Sequence, residues 1–184
     1  LFSGLTGSGK TTTMYSLLKL LENKTIYSLE DPIEVIQTGI TQLEINERIG
    51  FDFSEGIRQI LRHNPDVLMI GEIRDEKTAK SAIRAALTGC LVISSIHSKS
   101  TISALHRILE LGVKKEDLID SISYIFNQRL FKRYRQNNYI CIYDYIDNEM
   151  ICSYFQGEQV ETRMVEKIKL AEKHRIIEGN NQYE

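Results

Sequence analysis

Gly4-Leu5-Thr6-Gly7-Ser8-Gly9-Lys10-Thr11 satisfies the pattern G-x-x-x-x-G-K-[ST] at every position. Residue types at that spacing suit one task, the enclosure of an oligophosphate. Glycines let the backbone curl until successive N–H groups converge on phosphate oxygens. A helix beginning near Lys10 would turn its positive end to the same anion. Lys10 would reach the β- and γ-phosphates, and the Thr11 hydroxyl would ligate Mg²⁺. Gly4, Thr6, Gly7, Ser8, Gly9, Lys10, Thr11 and Thr12 form the candidate nucleotide-binding set. The alternative is a chance glycine-rich turn. Gly7 inside the pattern and the amphipathic stretch behind it weigh against that alternative.

Phosphate chemistry of this kind also needs acids at the ends of buried strands. Asp66-Val67-Leu68-Met69-Ile70-Gly71-Glu72 places Glu72 after such a strand, where it could hold Mg²⁺ or its water shell. Aspartate is the usual acid there, and a solvated strand-end glutamate is the competing reading of this segment alone. A second cluster, Glu30-Asp31-Pro32-Ile33-Glu34, follows another apolar run. Parallel strands deliver their carboxyl ends to one rim of a sheet, so Glu30 could orient or deprotonate an attacking water.

The elements that would position these groups follow from periodicity. Residues 25–29, 67–70 and 91–95 read as strands, the last two as runs covered on both faces. Residues 11–21, 55–62, 76–87 and 101–111 have helical spacing, the last closed by Gly112. Such alternation predicts an α/β fold with a mainly parallel central sheet. Only Pro32 and Pro65 and no flexible linker interrupt the first 130 or so residues, which read as one unit. Beyond residue 130, segments 139–146 and 150–155 flank Asp147-Asn148-Glu149 and predict a β-hairpin. Residues 160–177 predict an amphipathic helix, and residues 179–184 a frayed polar tail. The expected organisation is a core at 1–130 and a hairpin-and-helix extension at 131–184.

Composition narrows the function classes. Of the 184 residues 42% are hydrophobic and 26% charged, enough to bury a core, which excludes disorder, collagen and coiled-coil rods. A net charge of −2 argues against a general nucleic-acid coat. No apolar run approaches the ~18 residues of a membrane span. Three cysteines without a CxxC are no disulfide framework and suit a reducing cytoplasm. There is no signal-peptide pattern and no initiator Met, so the expectation is a piece, excised or C-terminal, of a longer protein.

Taken together these segments resemble one family, the secretion ATPases that drive type II secretion, type IV pilus assembly and DNA-uptake pseudopili. Residues 4–13 match its Walker A motif, and Leu29-Glu30-Asp31-Pro32-Ile33-Glu34 resembles its Asp box. Ile57-Arg58, Leu61-Arg62-His63-Asn64-Pro65-Asp66 and Gly71-Glu72-Ile73-Arg74-Asp75 are similar to its Walker B region. Ala85-Ala86-Leu87-Thr88-Gly89 with the strand running to Ile96 and His97 resembles its His box, and Asn127-Gln128-Arg129-Leu130 a later signature. The likeness is strongest to the short zinc-less members serving DNA uptake in competent Gram-positive bacteria.

The resemblance implies a RecA-like P-loop domain that hydrolyses ATP with Mg²⁺, in a cytoplasmic homo-hexamer at the inner face of the cell membrane. It implies an inner-membrane platform protein as partner, and no direct nucleic-acid contact. It gives Glu30 and Glu72 the roles of catalytic acids and His97 a place near the γ-phosphate. Thr11 and Glu72 fall on the Mg²⁺ side. Any arginine from the family's N-terminal domain is not assignable from this chain. Two departures matter. Thr88-Gly89-Cys90 stands where the His box usually reads Thr-Gly-His. Phe131-Lys132-Arg133-Tyr134-Arg135 stands where many members begin a four-cysteine zinc module, and Cys141 and Cys152 alone cannot complete a tetrahedral site, so no zinc is expected. Lys132, Arg133 and Arg135 read as a solvated turn or a patch for acidic lipid or protein. His63, His106 and His174 share no ligand spacing. The competing functions are a pilus-retraction ATPase and a nucleotide-gated scaffold with little hydrolysis, the latter encouraged by Cys90.

Overall fold

In the computed structural model, which describes residues 1–178, strands and helices alternate along the chain as expected of an α/β protein. The order is β1 (Phe2–Ser3), α1 (Lys10–Leu18), β2 (Ile26–Glu30), β3 (Thr41–Glu44), α2 (Phe53–Leu61), β4 (Val67–Ile70), α3 (Glu76–Leu87) and β5 (Leu91–Ile96). It continues with α4 (Thr101–Glu110), α5 (Lys115–Ser121), β6 (Tyr124–Lys132), β7 (Tyr139–Asp147), α6 (Asn148–Phe155) and α7 (Met164–Lys173). All seven strands join one sheet in the order β3-β2-β4-β5-β1-β6-β7, parallel except for the β6–β7 pair.

Strand β4 shows why a continuous apolar run was needed. Its side chains alternate between two covered faces, as the period of two requires. Val67 and Met69 pack with Met14, Tyr15 and Leu18 of α1. Leu68 and Ile70 pack on the other face with Ile57 and Ile60 of α2 and Ala79, Ala82 and Ile83 of α3. The sheet is therefore buried on both sides around β4. The carboxyl ends of β2, β4 and β5 all emerge on one rim, where the loop between β1 and α1 also lies.

Helices on the far layer are held by side-chain caps. Asp52 accepts from the Glu55 N–H at 2.7 Å at the start of α2. Ser100 and Ser103 form a reciprocal capping box on α4, which gives way to Gly112 at φ +75°. Asp75 caps α3, accepting from the Thr78 N–H at 2.9 Å and its hydroxyl at 2.7 Å. Burial pushes the Asp75 carboxyl up, but the Thr78 and Lys77 hydrogen bonds outweigh it and leave the group below its ordinary value. Asp75→Ala should therefore cost about 0.5–2 kcal/mol locally at neutral pH. The signature is faster hydrogen exchange at the Thr78 amide. A carboxyl lowered in the folded state stabilises above its unfolded value of 3.8 and loses this as pH falls through the folded one. The gap between Asp75→Ala and the parent should narrow in acid, and a gap that widens there would contradict the cap.

The C-terminal part corrects one expectation. A hairpin is present, but its strands are β6 and β7, in register from Tyr124 opposite Asp147 to Lys132 opposite Tyr139. Residues 150–155 are not its second arm and belong to α6. The Asp147 carboxylate accepts from the Met150 N–H at 2.9 Å and starts a helix instead of a turn. Met150, Ile151, Tyr154 and Phe155 then share the face turned to the core, a helical spacing. The expected border at residues 130/131 falls inside β6, so the extension continues the sheet of the core. The helix expected over 160–177 shortens to α7, bounded by the Arg163 N–H donating to Asp144 at 2.7 Å and by Arg175 at φ +53°. Ile177 then leaves the helix to bridge Arg133. The tail expectation for 179–184 lies outside the described residues.

Candidate nucleotide site

The loop between β1 and α1 is shaped by contacts that leave no space at Gly4. Its φ is +150°, and a Cβ there would stand 2.5 Å from Ser8 Oγ and 2.6 Å from the Gln128 carbonyl. Only glycine fits. Gly9, at φ +84°, precedes α1, and no side chain among the described residues caps that helix end. Its first N–H groups are therefore left for a ligand or solvent, unlike those of the capped helices. Lys10 folds back, its Nζ donating to the carbonyls of Gly4 at 2.8 Å and Leu5 at 3.2 Å. Burial lowers its pKa, and the Glu72 carboxylate partly restores it. From β6, Gln128 Nε2 donates to the Ser8 carbonyl at 2.7 Å and pins the loop from below.

Thr6, Gly7, Ser8, Gly9, Lys10, Thr11, Thr12, Glu30, Glu72 and His97 line one cavity of about 690 Å³. That volume suits a small polyvalent ligand. Gly4 contributes the carbonyl that holds Lys10 in place. The three strand-end residues arrive as their strands dictate. Glu30 closes β2 with 3% exposure, Glu72 follows β4, and His97 follows β5 as an exposed side chain. Ser95 Oγ donates to the Gly71 carbonyl at 2.7 Å, and the Ile73 N–H donates to the Ser95 carbonyl at 2.8 Å. Those bonds lock the ends of β4 and β5 together beneath Glu72 and His97.

The two acids have different surroundings. Glu72 Oε2 accepts from Arg74 Nε at 3.0 Å, and Arg74 also reaches Asp31 at 3.8 Å. This half-exposed cluster is open to exchange with solvent or a cation. The Glu30 carboxylate instead accepts from Ser28 Oγ at 2.7 Å, Gln42 Nε2 at 2.9 Å and the Tyr15 hydroxyl. Nothing in the spacing of the sequence marks Tyr15, Gln42 or the loop contact of Gln128. A phenol on the buried face of a helix was the one available signal, since its hydroxyl needs a partner.

The residues present fit a nucleotide and Mg²⁺. Ser8 Oγ is buried with no partner among the described residues, an orphaned polar atom inside the cradle. Thr11 and Glu72 offer the oxygen donors that a hard cation takes.

Cys90 is elsewhere. It precedes β5 whereas His97 follows it, and six strand residues at about 3.3 Å each separate them by on the order of 20 Å. The thiol is 9% exposed within the main core cluster. Burial pushes its pKa up, and Asp66 adds to that. Cys90→Ala should leave ATP turnover of the complete protein within a few-fold of the parent. His97→Ala should lower it by an order of magnitude or more. Phosphate-release assays giving the opposite ranking would place function at the thiol.

The family model described as "Type II/IV secretion system protein" matches residues 1–179. Competence protein ComGA of Bacillus subtilis (strain 168) is 44% identical over 133 residues, 71% of this chain and 37% of that protein. ComGA of Streptococcus pneumoniae is 47% identical over 131 residues, 71% of this chain and 42% of its own length. Type II secretion system protein E of Pseudomonas aeruginosa is 45% identical over 134 residues, 72% of this chain and 27% of that protein. The chain thus spans less than half the length of these relatives. Among solved structures, the pilus retraction motor PilT with bound ADP superposes with a TM-score of 0.82 at 28% identity, covering 96% of this chain and 57% of that one. The Legionella pneumophila ATPase DotB superposes with a TM-score of 0.77 at 22% identity over 96% of this chain and 56% of that one, a likeness of fold. The fold is RecA-like, the loop and its strand-end acids occupy one rim of it, and the match runs almost end to end: the chain belongs to the Type II/IV secretion system protein family.

Proposed function

We propose that this chain is the ATP-hydrolysing part of a motor that powers assembly of a type IV pilus-like pseudopilus for DNA uptake. One observation carries the reading: a glycine-rich phosphate loop and the side chains of Glu30, Glu72 and His97 converge on one cavity. The identity of 44–47% to competence proteins supports the DNA-uptake cargo. Residues 1–130 would form the catalytic core and 131–184 a hairpin-and-helix extension, whose β7 continues the sheet. The complete protein would act as a cytoplasmic homo-hexamer at the inner face of the membrane, against a platform protein, without direct contact to nucleic acid and without zinc. No described helix is long and apolar enough to cross a membrane.

In this reading the N–H groups of residues 7–12 hold the phosphates, and Lys10 exchanges its carbonyl partners for phosphate oxygens. Mg²⁺, held through Thr11 and Glu72, would neutralise charge on the phosphates. Glu30 orients a water toward the γ-phosphorus. Water oxygen bonds phosphorus as the bond to the bridging oxygen of ADP breaks, and the water's proton leaves with the products. His97 faces the transferred group. Cys90 lies in the core cluster and not among the residues lining the cavity, which favours hydrolysis over a non-hydrolysing scaffold.

Phosphate release by the complete protein, with and without its membrane platform partner, tests the proposal. Saturable, ATP-dependent release that rises with the partner is the expected result. Tight nucleotide binding with no release under either condition would make the protein a scaffold.

A further inference from the structure

We propose that Tyr15 and Gln42 are positioning residues that fix Glu30 in the one orientation able to receive the attacking water. This rests on the assignment of Glu30 as the water-orienting acid. A carboxylate has about four acceptor sites, two per oxygen. Oε1 accepts from Ser28 Oγ at 2.7 Å and Gln42 Nε2 at 2.9 Å, which occupies both of its sites. Oε2 accepts from the Tyr15 hydroxyl and keeps one site free. A side chain with 3% exposure and three donors upon it cannot turn to another rotamer. The free site on Oε2 is therefore the only acceptor that Glu30 offers to water.

The donors are fixed in their turn. Tyr15 is 6% exposed, and its ring packs in the cluster that joins α1 to the sheet. Burial, followed by the bond and charge of Glu30, pushes the phenol above its ordinary range, so it remains a donor at every pH the protein meets. The amide of Gln42 donates to the Val35 carbonyl at 3.1 Å and accepts from the Gln37 N–H at 2.6 Å. It also lies 3.4 Å from the Tyr15 hydroxyl, closing a triangle with Glu30. Tyr15 stands five residues after Lys10 on the same helix, on the order of 7 Å along its axis. One rigid element thus presents both the phosphate cradle and the clamp on the acid, so phosphate and water are aligned against a common frame.

A double-mutant cycle in the complete protein separates positioning from packing. Tyr15→Phe keeps the ring and removes only the donor. It should lower kcat about tenfold with KM for ATP and nucleotide affinity within about twofold, the pattern of a loss felt in the transition state. In a Glu30→Gln background the same change should alter residual turnover less than about twofold, since no carboxylate remains to be positioned. Gln42→Leu should repeat the pattern and decides the matter if Tyr15→Phe does not fold. Equal losses in both backgrounds, or no loss in the parent, would overturn the proposal. Normal turnover by Glu30→Gln alone is a separate outcome and would overturn the role of Glu30 itself.

Discussion

Replacing Lys10 by alanine should weaken ATP binding about 10- to 150-fold, equivalent to about 1.5–3 kcal/mol for one charge-assisted phosphate contact. The fold should survive the change. Among the described residues Lys10 Nζ donates only to the carbonyls of Gly4 and Leu5, both on the loop itself, and its side chain belongs to no core cluster. Burial already disfavours the ammonium in the free protein, and Glu72 alone offsets part of that. An anionic phosphate would relieve the remainder, which is why the lysine is worth more to the bound state than to the free one. Titration of the complete protein with a fluorescent ATP analogue, beside its melting curve, reads both halves of this expectation. Unchanged affinity in a folded Lys10→Ala protein would remove the loop from the site.

What could be read from the sequence follows from how local each signal is. The phosphate loop is contiguous, and its glycines answer to backbone geometry within a few residues. Strand β4 and helix α3 were located to the residue because each has an unbroken pattern, apolar for β4 and amphipathic for α3. Strand β6 failed the same test for a physical reason. Its centre, Asn127-Gln128-Arg129, is polar, and Asn127 and Gln128 are buried because they hydrogen-bond Ser3, Ser98 and Ser8 across the sheet. Polar residues spent on holding the site erased the alternation that marks a strand. With β6 hidden, β7 has no visible partner in the sequence, and the aromatic stretch at 150–155 reads as the second arm of the hairpin. Strand β3, Thr-Gln-Leu-Glu at the sheet edge, has a single apolar residue and gave no signal.

The clamp on Glu30 was invisible for another reason: it depends on register. Gln42 lies opposite Ser28 in the parallel β2–β3 pair, and Ser28 shares a face with Glu30 two residues on. A slip of one residue in β3 would turn Gln42 to the other side of the sheet. Sequence can suggest that Glu30 ends a strand. It cannot say which amide a neighbouring strand will bring alongside, and that amide decides how the acid is held.

Glu30→Gln and Glu72→Gln should both keep nucleotide binding and lose turnover, but by routes that cation dependence separates. At Glu30 an amide oxygen can still accept from Ser28 and Gln42, while the Tyr15 hydroxyl rotates to accept from the new NH₂. The pocket keeps its packing and loses its one acceptor for water. Turnover should fall on the order of a hundredfold or more. Added Mg²⁺ should not restore it, because the lost group is the acceptor for water, held by three protein donors, and not a cation ligand. Glu72 faces the opposite case. Its partner is the exposed Arg74, at 3.0 Å, so the change disturbs little structure and removes an anionic oxygen beside Lys10. The half-saturating Mg²⁺ concentration should rise in Glu72→Gln, and excess Mg²⁺ should recover part of the rate. Phosphate release measured across a Mg²⁺ series distinguishes the two. Rescue of Glu30→Gln by Mg²⁺, with none for Glu72→Gln, would exchange their roles, and normal hydrolysis by either variant would take that residue out of the chemistry.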